Sequence, residues 1–153
     1  MRILAIVLAM ALAAGAAGAQ EMKHDHGAMG HMMGGQGAAA DTRIKLDAPD
    51  MMKERQKLMM REHLRATQRV MALMAQDKWD EASALAHAQL GLTEEMRQMC
   101  SMFGPAFNAM GLAFHESGDR LGDALKAKDR GKSETAMADM LGKCVACHDT
   151  FKQ

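Results

Sequence analysis

The sequence predicts an all-α protein, an antiparallel four-helix bundle, on three observations. Apolar residues recur at three-to-four spacing from about Asp50 onward. The apolar residues are those of a helical core, with 18 Met against four Phe, one Trp and no Tyr, and β-branched residues are too few for much sheet. The periodic runs are separated by short breaks rich in Asp, Gly and Pro, and short connections make neighbouring helices antiparallel.

The 153 residues make one domain, less what export removes. Residues 1–19 read as a secretory signal peptide: Arg2 supplies positive charge, Ile3 to Leu12 an apolar core, and Ala17-Gly18-Ala19 a small-x-small cleavage site. The apolar stretch is shorter than the ~20 residues a span needs, so no stable membrane span is expected. Residues 20–45 are Gly- and Ala-rich with no helical period, and are expected to be flexible. Within them Met22, His24, His26, Met29, His31, Met32 and Met33 offer thioethers and imidazoles, a donor set suited to copper. A plain flexible tail is the competing reading.

Residues 46–153 form the expected helical domain. Asp47 or Asp50 caps the first helix, with Pro49 where a missing N–H costs little. Met52, Met59, His63, Ala66, Val70 and Leu73 or Met74 face inward, while Arg55, Lys57, Arg61, Glu62 and Arg65 form the polar face, to about Gln76. Asp77 is expected to cap a second helix that carries Trp79, Ala82, Leu85, Ala86 and Leu90 and that Gly91 ends by turning left-handed. Thr93 opens a shorter piece through Met96, Met99 and Met102, closed by Gly104-Pro105. A third long helix comes next, with Phe107, Met110, Phe114, Leu121 and Leu125 on one side, ending near Asp129-Arg130-Gly131. Ser133 is expected to cap the last helix, whose buried stripe would be Met137, Leu141, Cys144, His148 and Phe151.

Formal charge is balanced and no basic stripe exists, so nucleic acid is not an expected partner. No nucleophile sits with a base, and no carboxylate pair suggests a substrate cleft, so an enzyme is not expected.

The chemistry concentrates in Cys144-Val145-Ala146-Cys147-His148, the C-x-x-C-H pattern of c-type haem attachment. Each sulfur can add to one porphyrin vinyl group, and positions i and i+3 of a helix share a face. His148 then supplies the iron with a nitrogen ligand. A thioredoxin-like dithiol would need an alternating β/α chain, and a zinc site would need a second ligand pair; neither is present. An export signal agrees with haem, because bacteria attach it outside the cytoplasm.

A helical bundle with this motif on its last helix resembles the class II c-type cytochromes, the cytochrome c′ family and its low-spin relatives. The resemblance spans roughly Asp50 to Gln153 and is strongest from Leu141 to Lys152. Family members usually end C-x-x-C-H-x-x-Y-R; Phe151 and Lys152 stand here instead, keeping a positive charge without its guanidinium. In the family the residue four beyond the arginine of a first-helix Arg-Gln lies over the distal haem face. Arg55-Gln56-Lys57-Leu58-Met59 places Met59 there. The resemblance thus implies haem c held by Cys144, Cys147 and His148, with Met59 as the distal iron ligand. Met59 as ordinary core, Met60 or His63 as the ligand, and an open distal site are the alternatives. His115 reads as a half-buried structural histidine, His87 as a rim residue, and Cys100 as a buried thiol or an intermolecular disulfide partner. The expected function is that of a periplasmic one-electron carrier serving periplasmic redox proteins, with homodimerisation through the first two helices implied by the resemblance. Five-coordinate NO or CO binding and copper handling are the alternatives.

Overall fold

The computed structural model describes residues 40–152; the expected signal peptide and nearly all of the Met/His-rich segment lie outside them. The described chain is all-α apart from one two-residue strand pair. Its elements are β1 (Ile44–Lys45), α1 (Asp50–Ala75), α2 (Trp79–Gln89), α3 (Glu94–Ser101), α4 (Pro105–Lys126), α5 (Arg130–Thr150) and β2 (Phe151–Lys152). No described helix is long and apolar enough to cross a membrane.

The pattern of α1 turns out much as expected. Its start is organised by Pro49, whose carbonyl accepts the N–H groups of Met52 and Lys53 at 2.9 and 3.1 Å. His63, Ala66, Val70 and Met74 are buried, along with Gln56 and Thr67, and the five expected polar residues are exposed.

Four expected helix ends differ, each for a local reason: neither Asp47 nor Asp50 caps α1, because Pro49 takes the N-cap position without a side-chain bond and Asp50 is the first helical residue. Asp77 does not cap α2: it adopts a left-handed φ of 55° in the turn, and its carboxylate pairs with Arg130 at 2.7 Å. Gly91 is not left-handed; among the described glycines only Gly104, at φ 88°, is. Gly91 is needed for space, because a Cβ there would lie 2.3 Å from Asp119 Oδ1. Asp129, not Ser133, caps α5, accepting the Lys132 N–H at 3.0 Å, while Ser133 is buried in the first turn and donates to the Asp129 carbonyl at 2.8 Å. The helix therefore begins at Arg130 and takes Gly131 inside it.

The turns before α2 and before α5 meet. Besides Arg130–Asp77, Lys126 and Lys128 hold Asp80 at 3.1 and 2.9 Å, and the Arg130 guanidinium lies 4.9 Å from the Trp79 ring centre. Exposed pairs of this kind are individually worth about 0–1 kcal/mol, so they set register more than stability.

Two apolar clusters form. The first joins Ala66, Val70 and Met74 of α1, Ala82, Ala86 and Leu90 at α2, Leu121 and Leu125 of α4, and Met137 and Met140 of α5. The second joins Leu46, Met99, Phe103, Phe107 and Phe151, with half-buried Met52, Met59, Met110 and Cys147 packed on it. α2 packs on α1 and α4, and α4 on α3 and α5; α1 and α5 share no comparable seam.

The stretch expected to be flexible as far as Lys45 is tied down from Asp41. β1 pairs in parallel with β2, Ile44 opposite Phe151 and Lys45 opposite Lys152, and Leu46 is buried beside them. Burying Leu46 and pairing the strand offset the ordering entropy that composition alone suggested would win.

Candidate functional site

The thiols of Cys144 and Cys147 occupy one face of α5, at i and i+3, and both are half-buried. The buried stripe of α5 differs from expectation by a small rotation. Ser133, Met137 and Met140 lead to the two cysteines at spacings of four, three, four and three, and on to buried Phe151. Leu141 is 39% exposed, and His148 lies on the exposed side of the stripe, beside Val145 at 60%. An imidazole flanked by open apolar side chains therefore borders the thiols.

Burial pushes both thiols above the usual range, and each cysteine stays a neutral S–H at neutral pH. Among the described residues no group of three or more His, Cys, Asp or Glu is arranged to hold a metal ion.

The candidates for the other side of the site separate cleanly. Met59 packs on the same phenylalanine-rich cluster as Cys147. His63, one turn on, packs elsewhere: its ring centre is 5.1 Å from those of both Phe114 and His115. Burial, helped by neighbouring His115, pushes the His63 imidazole down to about 4. Met60 is half-buried and belongs to neither cluster.

The remaining singled-out residues have structural partners. His115 is more buried than expected, at 3% exposed, with Nδ1 3.0 Å from the Leu90 carbonyl. His87 sits at the rim, its ring nitrogens 3.1 Å from Asp119 and 3.4 Å from Asp123. Cys100 is buried against α4, where a Cβ at Gly111 would come within 2.5 Å of its sulfur. Burial, then the nearby Cys147, raises its thiol.

Sequence reasoning missed two contributors. Arg43 donates from Nη1 to the His148 carbonyl at 3.3 Å, and Asp41 forks that guanidinium at 3.0 Å on each oxygen. No local signal could join residues 105 positions apart. Asn108, next to Phe107, keeps the one buried side-chain oxygen without a partner among the described residues.

The chain matches no protein-family model, no curated protein and no solved structure.

Proposed function

We propose that this chain is a c-type cytochrome of the class II kind, with α1, α2, α4 and α5 as the four long helices of an antiparallel bundle. Its particular role is then that of an exported, periplasmic one-electron carrier for other periplasmic redox proteins. The observation that carries this reading is the pair of half-buried thiols on one face of α5, with His148 next in sequence and Met59 of α1 packed on the cluster that Cys147 also meets.

The donor set fits covalent haem: Cys144 and Cys147 would hold it by thioether links, and His148 and Met59 would supply its iron with a nitrogen and a sulfur. Haem, when bound, supplies an iron that gains or loses one electron. The chain's own residues then do the rest. Phe103, Phe107, Phe151 and the flanking Met side chains exclude water, and a low-dielectric surround favours the less charged state of the centre. The open edge of α5 at Leu141 and Val145 leaves room for approach by a partner.

The test is expression of the full chain in a host that matures c-type cytochromes. Expected are a pyridine haemochrome spectrum of the two-thioether type and a mass gain of one haem that denaturation does not remove. Cys144→Ser with Cys147→Ser should abolish that gain. A methionine–iron charge-transfer band in the near infrared, lost in Met59→Ala, identifies the distal ligand. A colourless protein with free thiols at 144 and 147 sinks the reading, and high-spin oxidised iron replaces electron carriage with gas binding.

A further inference from the structure

We infer that Arg43 is the positioning residue for the proximal imidazole: aimed by Asp41, its guanidinium holds the His148 carbonyl at the end of α5. This rests on the haem reading above and deepens it.

The last four carbonyls of a helix have no N–H one turn ahead to accept. α5 ends at Thr150, and Phe151 is extended, at φ −118° and ψ 147°. Phe151 N–H still closes on the Cys147 carbonyl, whereas the His148 carbonyl is met from outside the helix by Arg43 Nη1 at 3.3 Å. That donor is aimed. Arg43 Nε and Nη2 engage the two Asp41 oxygens at 3.0 Å each, the Arg43 backbone N–H adds a bond at 3.1 Å, and the third nitrogen is left to point at α5. Asp41 is itself anchored, since Lys152 Nζ donates to its carbonyl at 3.0 Å and pairs with its carboxylate at 3.4 Å.

The seam between β1 and β2 fixes the register of these contacts. Ile44 sits opposite Phe151, Leu46 N–H donates to the Lys152 carbonyl at 3.0 Å, and Leu46 is only 3% exposed. The backbone of the Cys147–His148 pair is thereby held from two directions, by Phe151 within the chain's own turn and by Arg43 across it. A cation at a helix C-terminus is favourable by itself, and here it stands at the residue that would ligate iron. Asp149 is the other charged group that Arg43 feels there. Lysine at position 43 would keep the charge but could not fork Asp41 and reach the carbonyl together.

The experiment uses the haem-loaded full chain and compares R43A, R43K and D41N by equilibrium redox titration at low ionic strength. Electron paramagnetic resonance of the low-spin iron and amide exchange at Phe151 are followed in parallel. R43A is expected to lower the midpoint potential, because loss of a cation near the axial ligand favours the more positive oxidised iron. It should also alter the low-spin signature and speed exchange at Phe151. R43K should restore most of the potential but neither the signature nor the protection. D41N should raise the potential while also altering the signature. A segment that merely clamps the domain would move R43A and D41N the same way, and that result overturns the inference. So does an R43A protein with the parent's potential and signature. If R43A does not accumulate, R43K decides, and an unaltered signature there overturns it. A parent chain that takes up no haem sinks both this inference and the proposed function, whereas a haem-loaded R43A indistinguishable from the parent sinks this one alone.

Discussion

The two apolar clusters are built to different standards. In the first, Val70, Ala82, Ala86, Leu90, Leu121, Leu125 and Met140 are all 0% exposed, drawn from helices that pack on one another. In the second no member reaches zero, its partly buried fringe is Ala48, Met52, Met59, Met110 and Cys147, and the one unpartnered buried side-chain oxygen among the described residues belongs to Asn108, the residue after Phe107 in sequence. Interiors complete in themselves pack densely and leave no polar atom unmatched. The first cluster meets that standard at these seven positions, with Ala66, Met74 and Met137 at 4%, 7% and 6%, whereas every member of the second keeps 2–8% exposure. On the haem proposal, the first cluster secures the fold and the second is the one that would border the cofactor.

That contrast can be broken or sharpened by measurement. The largest effect is expected from Leu121→Ala, which should cost about 2–5 kcal/mol in urea titrations, equally with and without haem. A strong dependence on haem would mean that the first cluster is not self-sufficient. Next comes pH. The unfolded chain protonates His63 near its ordinary 6.5, whereas the folded chain resists until about 4. Stability should therefore fall as pH drops through that window, by about 3 kcal/mol in all from this group, and not further below it. His63→Phe should flatten the slope. In the haem-loaded chain, the absence of any such titration would point to His63 rather than Met59 on the iron.

A third, smaller effect tests how closely α4 approaches α2. A Cβ at Gly118 would lie 2.3 Å from the Leu90 carbonyl oxygen, a backbone atom that cannot swing aside. Gly118→Ala should cost about 1–3 kcal/mol, read from the thermal midpoint. The smallest belongs to the second cluster, whose Met99 lies on α3: Thr93 caps that helix by accepting the Met96 N–H at 3.2 Å, and Thr93→Ala should cost about 1 kcal/mol. A loss well beyond that would show α3 to be more than a frame for Met99 and Phe103.

How much of this was legible depended on range. Periodicity alone marked the inward residues of α1 and the apolar side of α4, because a 3.6-residue repeat is a local property. Thr93 and the Gly104-Pro105 break were readable for the same reason. Residue type points Asp77, Gly91 and Ser133 to cap or turn roles; a distant partner decides otherwise for the first two, Arg130 for Asp77 and Asp119 for Gly91, while Ser133 is buried one turn after Asp129, which takes the cap. The motif at Cys144 to His148 was plain in the sequence, but its setting was not. A rotation of part of a turn separates a stripe through Leu141 and His148 from one through Met140 and Cys147, and periodicity cannot resolve so small an angle. The strand seam and Arg43 left no trace in local pattern.

The parallel pairing of Ile44 with Phe151 also bears on the order of events as the chain folds. Loop closure over so long a separation is costly, so contacts between distant segments form after local helices. Amide protection at Leu46 and Phe151 is therefore expected to appear last in a refolding time course. Until then the final turn of α5 lacks its outer brace, and on the haem proposal this is the interval in which the thioether links would be made. Maturation would come first, and closure would come after it.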